Sequence, residues 1–373
     1  HATTRTGPYA ANSTCKTAVA DLITDLGCGL VRDKVSTTDA EQITLWNNIA
    51  AASGAEFVGI VGSPGDAPSV ATAAVDFIWT TYGTSLFRAL EGLNEADSDT
   101  SWGGSPWAPN VVAFQQALYQ AAKAKWPTRP VIGPAVAGVY PDVIADFDAL
   151  GAAGVASWCD GGNLHHYPRT GPTADSFTAK LESAESNYGS AAWVSEYGWA
   201  DQDVQGTSTD DIGVFAVRQL AEVVARDLPA AFYYELLDQW DKQGDGTFKG
   251  FFGMVDASDN VPANWVLKPA YLTLQRLMQL CSDPGGTSTT PIPGSLTLPS
   301  DVRSLALSKS DGSWVLLLWR DVDPSLGTVT ATLTLTTSLS ATITNVVDGG
   351  VTVHGSAKVH SFAVGPEMLA IEL

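Results

Sequence analysis

The chain has 373 residues, 45% of them hydrophobic, and its 20 Lys plus Arg face 40 Asp plus Glu for a formal charge of -20. A chain this long exceeds what one core usually fills, so a catalytic-sized domain of roughly 250 residues or more with a small satellite is expected. Such an acidic chain has no basic stripe for a phosphate backbone and is repelled by anionic membranes, and no apolar run reaches spanning length; nucleic-acid and membrane partners are excluded and a neutral, hydroxyl-rich one fits.

In chain order, short β-rich runs alternate with amphipathic stretches from about residue 12 to 280, the pattern of parallel strands joined by crossover helices. Strands are expected near 1–5, 28–35, 56–61, 86–93, 131–135, 163–166, 192–196 and 231–237. Helical spacing covers 38–52, 109–124, 174–188 and 211–226, and 269–280 closes the series. Eight strands so arranged make a (β/α)8 TIM barrel, whose chemistry lies at the strand C-termini. Residues 282–291 read as a linker by their Pro, Gly, Ser and Thr content. Beyond them Thr330-Ala331-Thr332-Leu333-Thr334-Leu335 alternates with period two, and turns fall at Ser310-Asp311-Gly312 and Asp348-Gly349-Gly350. A small C-terminal antiparallel β-sandwich follows. The expected division is a barrel over 1–283 and an accessory domain over 284–373.

Two segments set a glutamate at the C-terminal end of an apolar strand: Glu91-Gly92-Leu93-Asn94-Glu95 after the fourth and Val194-Ser195-Glu196-Tyr197-Gly198-Trp199 at the seventh. Both point into the mouth of a barrel. Cleaving a glycosidic bond with retention needs one such pair, an acid to protonate the leaving oxygen and a carboxylate to attack the anomeric carbon. Cys15, Cys28, Cys159 and Cys281 form no C-x-x-C pair and no Cys/His zinc spacing, so neither a metal nor an organic cofactor is expected. Cys15 and Cys28 are expected at opposite barrel ends, too far apart to bridge, and the pairing stays open.

On these motifs the chain resembles the clan A glycoside hydrolases, and its C-terminal β domain makes family 39 and its relatives the nearest type. The resemblance implies a retaining hydrolase of β-glycosidic bonds in an oligo- or polysaccharide, with Glu95 as acid/base and Glu196 as nucleophile. It gives Asn94 the sugar 2-hydroxyl. Arg32, charged inside the apolar run Leu30-Val31-Arg32-Asp33, resembles the clan's arginine near the nucleophile; a structural ion pair with Glu91 or Asp33 is the other reading. His165 and Tyr167 share strand parity in Asn163-Leu164-His165-His166-Tyr167-Pro168 and face the mouth, whereas His166 faces the loop or helix layer. Tyr167 is placed to donate to Glu196. Glu91 lies inside the barrel as a structural group. Trp240, after the eighth strand, is the expected floor of the cleavage subsite; Trp199, Trp102 and Trp107 are candidate walls, and Trp46, Trp79 and Trp126 are core. A transglycosylase on the same site and a catalytically silent carbohydrate-binding barrel are the alternatives. The start at His1, with no signal peptide, fits a processed N-terminus and a secreted or extracytoplasmic location.

Overall fold

The computed structural model describes residues 12–83, 85–98, 102, 106–137, 143–168, 174–201, 207–239, 243, 250–289 and 291–373. By packing, the chain forms two compact units: residues 1–168, 175–199 and 228–265, and residues 169–174, 200–227 and 266–373.

The first unit is an alternation of helix and parallel strand: α1 (Ser13–Leu26), β1 (Leu30–Lys34), α2 (Ala40–Ser53), β2 (Glu56–Ile60), α3 (Pro68–Tyr82), β3 (Phe87–Glu91), α4 (Trp107–Lys125), β4 (Val131–Ile132), α5 (Val143–Ala152), β5 (Gly162–His166), α6 (Ala174–Tyr188), β6 (Ala192–Tyr197) and β7 (Ala231–Tyr233). Local chemistry sets the helix ends. The Asn12 side chain accepts from the Thr14 amide at the start of α1, and Gly27 closes it at φ 70°, a left-handed cap that glycine adopts without a Cβ penalty. Asp39 caps α2 in the same way. Strands β1 to β4 pair in parallel in chain order, as do β5 to β7, and a parallel bridge between Ile132 and Gly161 joins the two sets. The seven strands match seven of the eight expected runs; the expected run at 1–5 lies outside the described residues.

Curvature shows in the core. Val58 of β2, Ala89 of β3, Ile132 of β4, Trp193 of β6 and Phe232 of β7 share one buried cluster. Arg32 of β1 also reaches Glu196 of β6 at 2.6 Å, which a flat sheet with five strands' separation could not allow, so the sheet curls on itself, as barrel closure requires. Trp46 stacks on Phe57 with centroids 4.7 Å apart, and Trp79 meets Trp126 edge-on at 5.1 Å, so all three tryptophans of the helical runs pack as expected.

In the second unit α7 (Thr209–Ala225) and α8 (Pro269–Cys281) run against each other, and a Cβ at Gly213 would stand 3.0 Å from Thr273 Oγ1. They belong with seven antiparallel strands, β8 (Ser288–Thr289), β9 (Gly294–Thr297), β10 (Val302–Ser308), β11 (Trp314–Arg320), β12 (Val329–Asn345), β13 (Val351–Val364) and β14 (Leu369–Glu372), ordered β8-β10-β11-β14-β12-β9 with β13 also on β12. Strand β12 changes partner along its length: residues Thr332–Leu335 pair with β9 and residues Thr342–Asn345 with β14, with register shifts against β13 between Thr334 and Ala341. Residues on both sides of this irregularity, Leu333 and Ile343 among them, join Leu316, Leu318, Phe362 and Ile371 in one core. Leu333→Ala is expected to cost about 2–5 kcal/mol, measured by denaturant titration, whereas Val353→Ala at a 67%-exposed site should stay within about 0.5 kcal/mol.

Two findings depart from the linear reading. The expected linker is woven into the sheet, since Ser288 and Thr289 pair with Ser308 and Leu307 and the Asp283 carboxylate accepts from the Ser310 amide at 3.0 Å and hydroxyl at 2.9 Å. The last two helices are also tied to the β domain by arginines. Buried Arg218 of α7 donates from Nε (2.9 Å) and a terminal nitrogen (2.6 Å) to Pro366 O, and from the other nitrogen to Val322 O at 2.9 Å; Arg276 of α8 donates to Val347 O at 2.7 Å. A buried guanidinium capping carbonyls replaces its lost hydration. The packing unit therefore includes helices that the alternating pattern assigns to the barrel.

Candidate active site

Strand parity puts Arg32 of β1, Glu91 of β3 and Asn163 and His165 of β5 on the inner side of the curled sheet, and a register shift after Leu164 sets Glu196 of β6 opposite His165; all are buried. Gly92 follows β3 where no side chain fits, because a Cβ there would stand 2.1 Å from Gln115 Oε1 and 3.0 Å from Pro134 N. The chain then turns, and Glu95 sits at φ 49°. A left-handed non-glycine residue costs on the order of 1–2 kcal/mol, and such strain collects at functional sites.

Arg32, 1% exposed, is the electrostatic centre. Its Nε and one terminal nitrogen clasp the two oxygens of Glu91 at 2.6 and 2.7 Å, the same terminal nitrogen reaches Asn94 Oδ1 at 2.7 Å, and the other donates to Glu196 Oε1 at 2.6 Å. Burial alone would weaken its protonation, but Glu91 and Glu196 outweigh that and drive its pKa up. Arg32 thus forms a buried ion pair with Glu91 and touches Glu196 as well.

Tyr167 donates its hydroxyl to Glu196 Oε2. Burial, then the Glu196 charge, push the Tyr167 pKa well above its ordinary value, so the phenol remains a donor. His165 Nδ1 stands 2.9 Å from Glu95 Oε1 and 3.4 Å from Glu196 Oε2. Burial would lower its pKa, yet the two carboxylates win over burial and over Arg32, and the net direction is upward. Glu196 is nearly covered, with 9% of its side chain exposed, whereas Glu95 keeps 33%. Oxygens of these two carboxylates and a His165 nitrogen all lie within 4.8 Å of one another. Their donor types could hold a cation, but Arg32 already supplies positive charge at Glu196, with a terminal nitrogen 3.5 Å from His165 Nε2.

The neighbouring positions divide. His166 points out of the sheet as expected, edge-on to Phe177 of α6 at 5.1 Å, and burial followed by the nearby Lys180 charge lowers its pKa well below the ordinary value. Trp102 is half-buried, its indole N–H held by Ala96 O at 2.9 Å. Trp107 opens α4, also half-buried. Trp199 corrects the expectation: at 2% exposure, with Tyr197 edge-on at 6.3 Å, it offers no open ring face and belongs to the packing. Trp240 lies outside the described residues. All four cysteines carry free thiols.

Three residues beyond β7 complete the site. Tyr234 packs edge-on to Tyr167 (6.3 Å) and Phe252 (5.6 Å), and Gln239 Nε2 donates to its hydroxyl at 3.0 Å and to both oxygens of buried Glu235 at 2.7 and 2.9 Å. The Tyr234–Glu235 peptide is cis, which no residue pattern announces. Glu235 did carry a signal, being a charged residue in an apolar strand run as Arg32 is; Asn163 shares the parity of His165 and Tyr167.

No protein-family model matches the chain, and no curated protein sequence does. Solved structures do. A glucosidase from Croceicoccus marinus matches with a TM-score of 0.66 at 12% identity, over 95% of this chain and 91% of that one. The catalytic domain of GH30 xylanase C from Talaromyces cellulolyticus matches at 0.61 and 14% identity, over 99% and 94%. A family 51 α-L-arabinofuranosidase from Bifidobacterium longum matches at 0.62 and 12% identity, over 96% and 89%. Identity this low speaks for the fold: the chain is a (β/α)8 barrel followed by an antiparallel β domain, the architecture of these glycoside hydrolases.

Proposed function

We propose that the chain is a retaining glycoside hydrolase of clan A that cleaves a β-glycosidic bond in a neutral oligo- or polysaccharide. The observation that carries this reading is the approach of the Glu95 and Glu196 oxygens to within 4.8 Å. Retaining enzymes hold their carboxyl groups roughly 5–5.5 Å apart, whereas inverting ones leave about 6.5–9.5 Å for a water. Glu196, held by Arg32 and Tyr167, stays anionic and attacks the anomeric carbon while Glu95, the more exposed, gives its proton to the leaving oxygen. The covalent ester at Glu196 then falls to a water whose proton returns to Glu95, freeing the Glu196 carboxylate.

Asn94 meets the sugar 2-hydroxyl, His165 orients Glu95, and Trp102 lines the entrance. Trp240 remains the floor proposed on sequence grounds, with Tyr234 as an aromatic face beside Glu196. Arg32 is engaged by Glu91 and Glu196, and the chain carries a charge of -20, which disfavours the approach of an anionic sugar. A secreted protein with its catalytic region over 1–283 and a two-layer β-sandwich over 284–373 completes the reading. The test is a panel of 2,4-dinitrophenyl β-glycosides and neutral polysaccharides, with uronides alongside. Release from neutral members and none from uronides is expected; binding of saccharides without release from any member would turn the reading toward a silent binding barrel.

A further inference from the structure

Behind the two carboxylates lies a set of buried polar groups that neither protonates nor attacks anything. Ser195 Oγ donates to Asn163 Oδ1. Asn163 Nδ2 donates to Glu91 Oε1 at 2.8 Å and to Gly133 O at 2.9 Å. Glu91 grips the Arg32 fork, and Arg32 returns to Glu196, the residue next to Ser195. With the Ser195–Glu196 peptide link, the hydrogen bonds therefore close a ring through β6, β5, β3 and β1 and back to β6. Ser195, Asn163 and Glu91 are each 0% exposed and Arg32 is 1% exposed.

The direction of every bond in the ring is set. A carboxylate only accepts and a guanidinium only donates, so Asn163 must turn its amide nitrogen to Glu91 and its oxygen to Ser195. Turning the amide over would set its oxygen against the Glu91 carboxylate. With Glu91 so anchored, two of the three Arg32 nitrogens are committed to it, and only one faces Glu196. One positive charge is divided between two carboxylates.

We propose that Glu91, anchored by Asn163 and Ser195, is a positioning residue that limits how much of the Arg32 charge reaches Glu196 and so keeps the nucleophile basic enough to attack. This rests on the retaining reading above. A carboxylate clasped by a whole guanidinium loses basicity, and a less basic carboxylate is a poorer nucleophile. Sharing Arg32 with Glu91 keeps Glu196 ionised and oriented without quenching it. Glu196 is also faced by Glu95 from the loop after β3, His165 and Tyr167 from β5 and its end, and Tyr234 beyond β7; Glu91 is faced by Arg32 and, electrostatically, by Tyr188 of α6.

The test compares wild type, Glu91→Gln and Ser195→Ala on whichever 2,4-dinitrophenyl β-glycoside of the panel the wild type turns over fastest, with active sites counted by the matching 2-deoxy-2-fluoro glycoside. Glu91→Gln should lower kcat per active site about tenfold with KM little changed, and should move the acidic limb of kcat/KM down by about half to one pH unit, because the whole Arg32 charge then falls on Glu196. Ser195→Ala, which only frees the Asn163 amide, should shift both in the same sense by less, about threefold in kcat. If Glu91→Gln does not fold, Ser195→Ala decides alone. A purely packing role would reduce the count of active sites or the melting temperature and leave the pH limb in place. Folded, fully labelled variants with the wild-type limb and kcat overturn the proposal. Failure of the wild type itself to form the 2-fluoroglycosyl ester is a different outcome; it overturns the retaining reading and this inference with it.

Discussion

Glu196→Ala is expected to lower kcat on the order of 10⁵-fold on every substrate the wild type accepts, with no remaining dependence on leaving group. As the proposed nucleophile, Glu196 takes part in both halves of a double displacement, so no choice of substrate bypasses its loss. The substitution also leaves the third Arg32 nitrogen and the Tyr167 hydroxyl without their acceptor in a buried site. Stability should therefore fall as well, since unpaired buried donors cost about 1–3 kcal/mol each. Turnover is to be measured on protein whose fold has been verified by circular dichroism, so that lost chemistry and lost fold are separated. Normal turnover in this variant would remove Glu196 from the mechanism.

Glu95→Ala should split by leaving group. A substrate with a poor leaving group needs the proton and should lose about 10²–10⁴-fold, whereas a 2,4-dinitrophenyl glycoside needs none for the first step and should still form the glycosyl-enzyme. Breakdown of that ester then lacks its base. Added azide needs no base, so it should restore turnover and give a β-glycosyl azide, identified by mass spectrometry and its coupling constant. The position of Glu95 favours this outcome: its side chain is 33% exposed, open enough for a small anion to enter where the carboxylate was. A uniform loss across leaving groups, with no azide product, would assign the proton to another residue.

Much of this site is legible in the chain because barrel chemistry obeys parity. Arg32 stands out as a charge in an apolar run, and once strand register is known its partners can lie only on the inner side, where Glu91 and Glu196 are found. His165 and Tyr167 are two apart and share a face; His166 between them does not, and it packs on Phe177. Period two in β12 announces the β domain equally plainly.

What escapes the chain is whatever depends on non-local placement. Trp199 looks like a subsite wall because it follows a catalytic strand, yet burial depends on what packs over it. Tyr234 and Gln239 become site residues through the path of the chain beyond β7, which local pattern does not specify. The helices α7 and α8 have the spacing of barrel helices, and nothing in that spacing tells that Arg218 and Arg276 will cap carbonyls of the β domain. At 282–291 composition marks a linker, and what it does not announce is the pairing of Ser288 and Thr289 that ties the segment's end into the sheet.

The central claim is double displacement between Glu95 and Glu196, and its most direct test is the anomeric configuration of the first-formed product, followed by proton NMR within the opening minutes before mutarotation. Retention, a β-glycoside giving the β-hemiacetal first, is the result that a carboxylate approach within 4.8 Å predicts. An α-anomer appearing first would mean a single displacement by water and would contradict the account.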